Sequence, residues 1–177
     1  IAKRNLKNLL VITGNTVRKM PQFAEMLSAL DRHGIRYTVF SSLQANPTIE
    51  NVEAAKEAYL ANGCDGIIAF GGGSPMDCAK VAAARVTNRK PVRKMAGLFK
   101  IRKKIPPLFA VPTTAGTGSE VTIAAVITDP ESHAKFGIAD PKLVPLVAAL
   151  DPDVMVGLPP SITGTTGMDA LTHAVEA

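Results

Sequence analysis

Tryptophan is absent from this chain, tyrosine occurs twice and phenylalanine six times. So few aromatics leave little for nucleic-acid bases to stack on, and no nucleic-acid partner is expected. Cysteine is also scarce, with only Cys64 and Cys78. Two thiols exclude a disulfide framework, and their spacing is not that of a metal cluster; two buried thiols in a reducing, cytoplasmic compartment are expected. No apolar run is long enough to span a bilayer, so no membrane partner is expected. The opening Ile1-Ala2-Lys3-Arg4-Asn5-Leu6 has no signal-peptide pattern. Internal repeats and low-complexity tracts are likewise missing.

What is present suffices for a globular domain: 177 residues, 46% of them hydrophobic, enough to bury a sizeable core. The net charge is +5, and much of it falls between positions 89 and 104. That stretch holds Arg89, Lys90, Arg93, Lys94, Lys100, Arg102, Lys103 and Lys104. Such a run can meet nucleic acid or an anionic membrane. Only Phe99 interleaves it, so a solvated connection between two elements is the better reading.

Apolar runs and helical patterns alternate through the first half. Residues 8–13, 36–41 and 66–70 read as buried strands, and 20–33, 49–62 and 75–87 as helices, with Gly34 and Gly63 as stops. This β-α-β-α-β-α order implies a parallel sheet, with ligands bound beyond the strand C-termini. Residues 107–112, 121–128 and 146–150 read as further strands, and 134–139 as a hairpin partner across the Asp129-Pro130 turn.

Three stretches carry chemistry. In the first, a strand runs into Gly71-Gly72-Gly73-Ser74 and a helix leaves it. Ser74 is expected as the helix N-cap, Pro75 at the first helical position and Asp77 as a capping-box partner. Free N–H groups and the helix dipole there would hold a phosphate, although a ligand-free tight turn fits as well. The second is Thr113-Thr114-Ala115-Gly116-Thr117-Gly118-Ser119-Glu120. Its hydroxyls suit ribose, amide and phosphate oxygens; equally it is a polar loop ending in a helix cap at Ser119 or Glu120. The third is a helix expected from about Met168, on which Asp169 and His173 stand four apart on one face. That pair suits a divalent cation, or an ordinary Asp–His hydrogen bond on a solvated face.

Together, in this order, the motifs resemble the iron-dependent (group III) alcohol dehydrogenase family. The resemblance runs through residues 65–80, 111–122 and 167–176, and also Asn46-Pro47 and Leu158-Pro159-Pro160. It implies a Rossmann-like α/β nucleotide-binding domain over residues 1–160. Residues 161–177 would then open an all-helical metal-binding domain, cut short here. It implies NAD or NADP as cofactor, and Fe2+, with Zn2+ as the alternative. It assigns the pyrophosphate to Gly72, Gly73 and Ser74, with Asp77 beside them. It lines the cofactor cleft with Thr113, Thr114 and Thr117, and puts Lys135 on the nicotinamide-side ribose. Asp169 and His173 become the first two metal ligands. A small alcohol or aldehyde as substrate and a homo-oligomer, dimer or larger, are also implied.

Two features depart from the family pattern. The chain stops inside the helix that bears the first two metal ligands, so a fragment of a longer protein, inactive by itself, is expected. At the end of the second strand, where many NAD-dependent members carry Asp, stand Ser41-Ser42; NADP acceptance is expected there. Two alternatives remain: a nucleotide-binding module without turnover, and a non-redox relative of the dehydroquinate synthase type.

Overall fold

A computed structural model describes residues 4–43 and 45–177. Ile1, Ala2 and Lys3, part of the opening read for a signal pattern, lie outside the described residues. The first half alternates as expected: β1 (Asn8–Thr13), α1 (Pro21–Arg32), β2 (Arg36–Phe40), α2 (Ile49–Ala61), β3 (Gly66–Gly71) and α3 (Gly73–Thr87). Then follow β4 (Gly97–Leu98), β5 (Leu108–Pro112), β6 (Ala124–Thr128), β7 (Lys135–Ala139), β8 (Val147–Ala148) and α4 (Pro160–Glu176).

Five strands form a parallel sheet in the order β2-β1-β3-β5-β8. The period-two geometry of its central strands divides the core into two layers. Leu10, Ile12, Ile67, Ala69, Leu108 and Ala110 face α2 and α3. Leu9, Val11, Ile68, Phe70 and Phe109 face the other way, against Phe23 and Leu30 of α1. The Phe23 and Phe70 rings meet edge to face at 5.3 Å, a favoured aromatic geometry. Continuous apolar runs in β1 and β3 follow from burial on both faces.

A second, three-stranded sheet is ordered β4-β7-β6. β6 and β7 form the expected antiparallel hairpin, and β4 pairs parallel with β7. This sheet corrects the reading of positions 89–104 as a solvated connection. Val92, Met95 and Ile101 are buried there, and the stretch forms a 3-10 turn (Val92–Met95) and strand β4. Apolar residues spaced between the cations anchor the segment, while the charges stay outside.

Three boundaries also shift. The strand expected over 146–150 shrinks to Val147–Ala148, because Asp151-Pro152 turns into a 3-10 helix capped by the Asp151 side chain. The strand expected from Val121 starts at Ala124. The helix expected from Met168 begins eight residues earlier, with Pro160 in its first turn. Pro160 presets the helical φ where its missing N–H costs nothing. Residues 163–167, before the expected start, lie within this helix, and Thr163, Thr165 and Thr166 satisfy their hydroxyls on carbonyls of the preceding turn. No helix among the described residues is long and apolar enough to cross a membrane.

Candidate functional site

The C-terminal ends of β3 and β5 lie side by side, with Gly71 paired to Pro112 and Thr113 N–H donating to the Gly71 carbonyl at 3.0 Å. This register places the glycine turn directly against the threonine loop. A Cβ on Gly72 would stand 3.1 Å from Thr114 Oγ1, and one on Gly73 3.1 Å from Thr117 Cγ2. The two glycines therefore let the turn pack closely against the threonine side chains. α3 starts at this contact, so its free N–H groups and its positive dipole end lie beside the threonine loop.

The capping expectation is corrected here. The N-cap is Gly72, with no side-chain cap, and Ser74 lies one residue inside α3. Ser74 Oγ instead accepts from Asn46 N–H at 3.3 Å. Asp77 turns inward: its carboxylate accepts from Ser119 Oγ at 2.9 Å and from Val126 N–H at 3.0 Å. Burial raises the Asp77 pKa, only partly offset by those donors and by Lys80. Asp77 thus ties α3 to the threonine loop and to β6. Ser119 starts no helix, which removes the helix-cap reading of that loop; its hydroxyl is committed to Asp77 and Lys80.

Lys80 was not among the expected site residues. It is fully buried, and its ammonium donates to Ser119 Oγ (3.0 Å), Thr122 O (3.0 Å), Thr122 Oγ1 (3.1 Å) and Ala124 O (2.8 Å). Burial pushes its pKa down to about 8, against the pull of Asp77 and Glu120. It pins the far end of the threonine loop to α3. A lysine three residues after Asp77, on the apolar side of the helix, was the available signal.

Asn46 is a second residue missed. It holds a left-handed φ of 61°, a conformation Asn tolerates. Its backbone reaches Ser74, and its Oδ1 accepts from Lys135 Nζ at 2.8 Å. One residue thereby joins the glycine turn to β7. At the end of β2, Arg18 Nη1 donates to Ser41 Oγ at 2.8 Å, so a cation accompanies the serine.

Helix α4 meets the same loop. A Cβ on Gly116 would come within 2.8 Å of the Thr166 carbonyl, so only glycine admits this helix so closely. Asp169 and His173 follow on α4, with Asp169 Oδ1 and His173 Nε2 3.6 Å apart and both side chains open to solvent. Two ligands about 2.1 Å from a tetrahedral ion sit ~3.4 Å apart, so the pair fits one side of a divalent-ion shell. No third His, Cys, Asp or Glu joins them among the described residues. A hollow of about 300 Å³, lined by Thr114, Glu120 and Met155 among others, lies beyond the ends of β5 and β8. The larger apolar hollow of about 450 Å³ between α1 and the sheet, lined by Ile68 and Phe109, sits on the sheet face and not at the strand ends.

Residues 1–152 match the sequence profile of the family described as iron-containing alcohol dehydrogenase. The chain belongs to that family. It is 40% identical to alcohol dehydrogenase 4 of Schizosaccharomyces pombe over 100% of this chain and 42% of the relative. It is 38% identical to lactaldehyde reductase of Escherichia coli K12 over 99% of this chain and 47% of the relative. The crystal structure of a 1,3-propanediol oxidoreductase superposes with a TM-score of 0.95 at 37% identity, covering 99% of this chain and 47% of that one. A sulfoacetaldehyde reductase from Bifidobacterium kashiwanohense, solved with NAD+, does so at 0.84 and 33% identity, covering 98% and 46%. This chain therefore spans about half the length of the relatives it matches.

Proposed function

We propose that this family member is the cofactor-binding half, with the first metal-bearing helix, of an NAD(P)-linked, metal-dependent alcohol dehydrogenase. The observation that carries the reading is the convergence of three parts. Gly72 and Gly73 pack against Thr114 and Thr117, and Gly116 of the same threonine loop packs against Thr166 of α4, the helix that carries the Asp169–His173 pair. In this reading Gly72, Gly73 and Ser74 hold the pyrophosphate through helix N–H groups. Thr113, Thr114 and Thr117 bound the cleft, and Lys135, oriented by Asn46, reaches the ribose. Asp77 supports the cleft from behind.

Asp169 and His173 hold one side of a divalent ion, Fe2+ or Zn2+, and residues outside this chain complete it on a helical domain that α4 begins. A metal held there would supply Lewis-acid polarisation, and a nicotinamide dinucleotide in the cleft would supply hydride chemistry toward a small alcohol or aldehyde. The chain's own contribution is positional: it sets the cleft beside the helix that bears the ligand pair, and orientation of reacting groups of this kind lowers the barrier.

Arg18 beside Ser41 supports NADP as well as NAD, because a guanidinium suits a 2′-phosphate and no carboxylate repels it at Ser41. Buried Cys64 and Cys78, both with pKa raised by burial, suit a reducing cytoplasm. A homo-oligomer completes the proposal.

His173→Ala in the full-length protein tests it. Metal content and alcohol turnover should both be lost, while NAD binding by fluorescence stays within about threefold. Full metal occupancy in the variant would refute the ligand assignment.

A further inference from the structure

Between Asp77 and Glu120 lie 42 residues without a single carboxylate, holding ten of the chain's 20 Lys and Arg. Three of these ten have identified work. Lys80 is buried under the threonine loop, Arg85 is clamped on Glu53 at 2.6 Å, and Arg93 is paired with Asp129 and Glu131. Five of the others, Arg89, Lys90, Lys100, Arg102 and Lys103, line one hollow of about 420 Å³ at the C-terminal end of α3. None of the five forms an ion pair among the described residues.

The hollow is held in shape from below. Asn88 is buried; its Oδ1 accepts from the Arg102 and Lys103 amides at 3.0 and 2.9 Å. Its Nδ2 donates to Ala84 O and Lys103 O. Arg85 Nη1 donates to the Asn88 and Lys90 carbonyls, each at 2.8 Å. The two basic segments, 89–90 and 102–103, are thus stitched to the end of α3 and both line the hollow. The same bonds occupy carbonyls that would otherwise turn a negative helix end toward it.

Five cationic residues around one hollow, with no carboxylate among its lining residues, raise the potential there and the local concentration of counter-ions. Guanidinium forks among the cations match phosphate geometry. We propose that this hollow binds a small soluble polyphosphate. It lies the length of α3, about 20 Å, from the glycine turn, so it is separate from the cofactor groove. Its volume exceeds what one phosphate fills, and only Phe99 among the aromatics adjoins the stretch, which favours a phosphate chain over stacked bases.

The test is titration calorimetry of sodium tripolyphosphate into the full-length protein, with and without saturating NAD. One site, insensitive to NAD and weakened by added salt, is expected. Arg102→Gln with Lys103→Gln should weaken it about tenfold or more and leave NAD affinity unchanged; Lys94→Gln, outside the hollow, should leave both unchanged. Orthophosphate should bind about tenfold more weakly. Absence of saturable binding, competition by NAD, or equal affinity in the double variant would overturn the proposal. So would duplex DNA or phosphatidylserine vesicles binding more tightly than tripolyphosphate and losing that binding in the double variant, which would give the face to a macromolecule. Loss of NAD binding alone would refute the cofactor reading and leave this one standing.

Discussion

Lys80 makes the alkaline stability of this fold measurable at one residue. Its ammonium is fully buried among four oxygens. Asp77 and Glu120 favour the charge, but burial outweighs them and pushes the pKa from 10.5 down to about 8. The unfolded chain keeps an ordinary lysine near 10.4. Between those values the unfolded state binds more protons than the folded one, so stability rises with pH across that window. At about 1.4 kcal/mol per pKa unit, the rise attributable to Lys80 is about 3 kcal/mol between pH 8 and 10.5. The quantity to measure is the difference between the wild type and a variant that lacks this amine. Urea unfolding of the metal- and cofactor-free full-length protein, wild type against Lys80→Met, at pH 7, 8, 9 and 10 supplies it. Methionine keeps the buried stem and cannot titrate. The wild type should gain about 2 kcal/mol or more on the variant between pH 7 and 10. A pH-independent difference would refute the view that burial lowers the Lys80 pKa in the folded state.

Three further perturbations follow from the geometry. Gly72→Val places a branched side chain against Thr114, where even a Cβ comes to 3.1 Å of Oγ1; NAD affinity should fall about tenfold or more with the melting temperature little changed, read by fluorescence titration. Ser41→Asp sets a carboxylate beside Arg18; NADPH affinity should drop about tenfold while NADH affinity holds, checked by paired titrations. Arg93 holds the Asp129 carboxyl down at about 2, below its unfolded value near 3.9. Stability from that pair is present above pH 4 and lost as pH falls toward 2, so Asp129→Asn should flatten part of the acid transition in that window, followed by circular dichroism.

Much of the fold was legible in the chain because the cues are local. Buried parallel strands read as short apolar runs, and Gly34 and Gly63 sit with positive φ at the helix stops where expected. The glycine turn, the threonine loop and the i,i+4 Asp–His pair are each contiguous, so their chemistry could be proposed from residue type and spacing. Local cues also misled. Ser-Pro-x-Asp reads as a capping box, yet Asp77 finds stronger donors in Ser119 and Val126, residues 42 and 49 positions away. A helix start near Met168 left residues 163–167 outside it, yet α4 includes them. Eight cations in sixteen positions read as solvated chain, because charge density hides three apolar anchors, Val92, Met95 and Ile101.

By itself the sequence determined the alternation of strands and helices, the parallel sheet and the strand–glycine–helix turn, since each depends on neighbours within a turn or a strand. Tertiary structure alone decided which distant groups meet. The β3–β5 register set Gly72 against Thr114, Gly116 admitted α4, and Asn46 joined Ser74 to Lys135. Lys80 bound a loop some 40 positions away. Such contacts depend on how elements pack around a shared core, and no pattern within one segment carries that information.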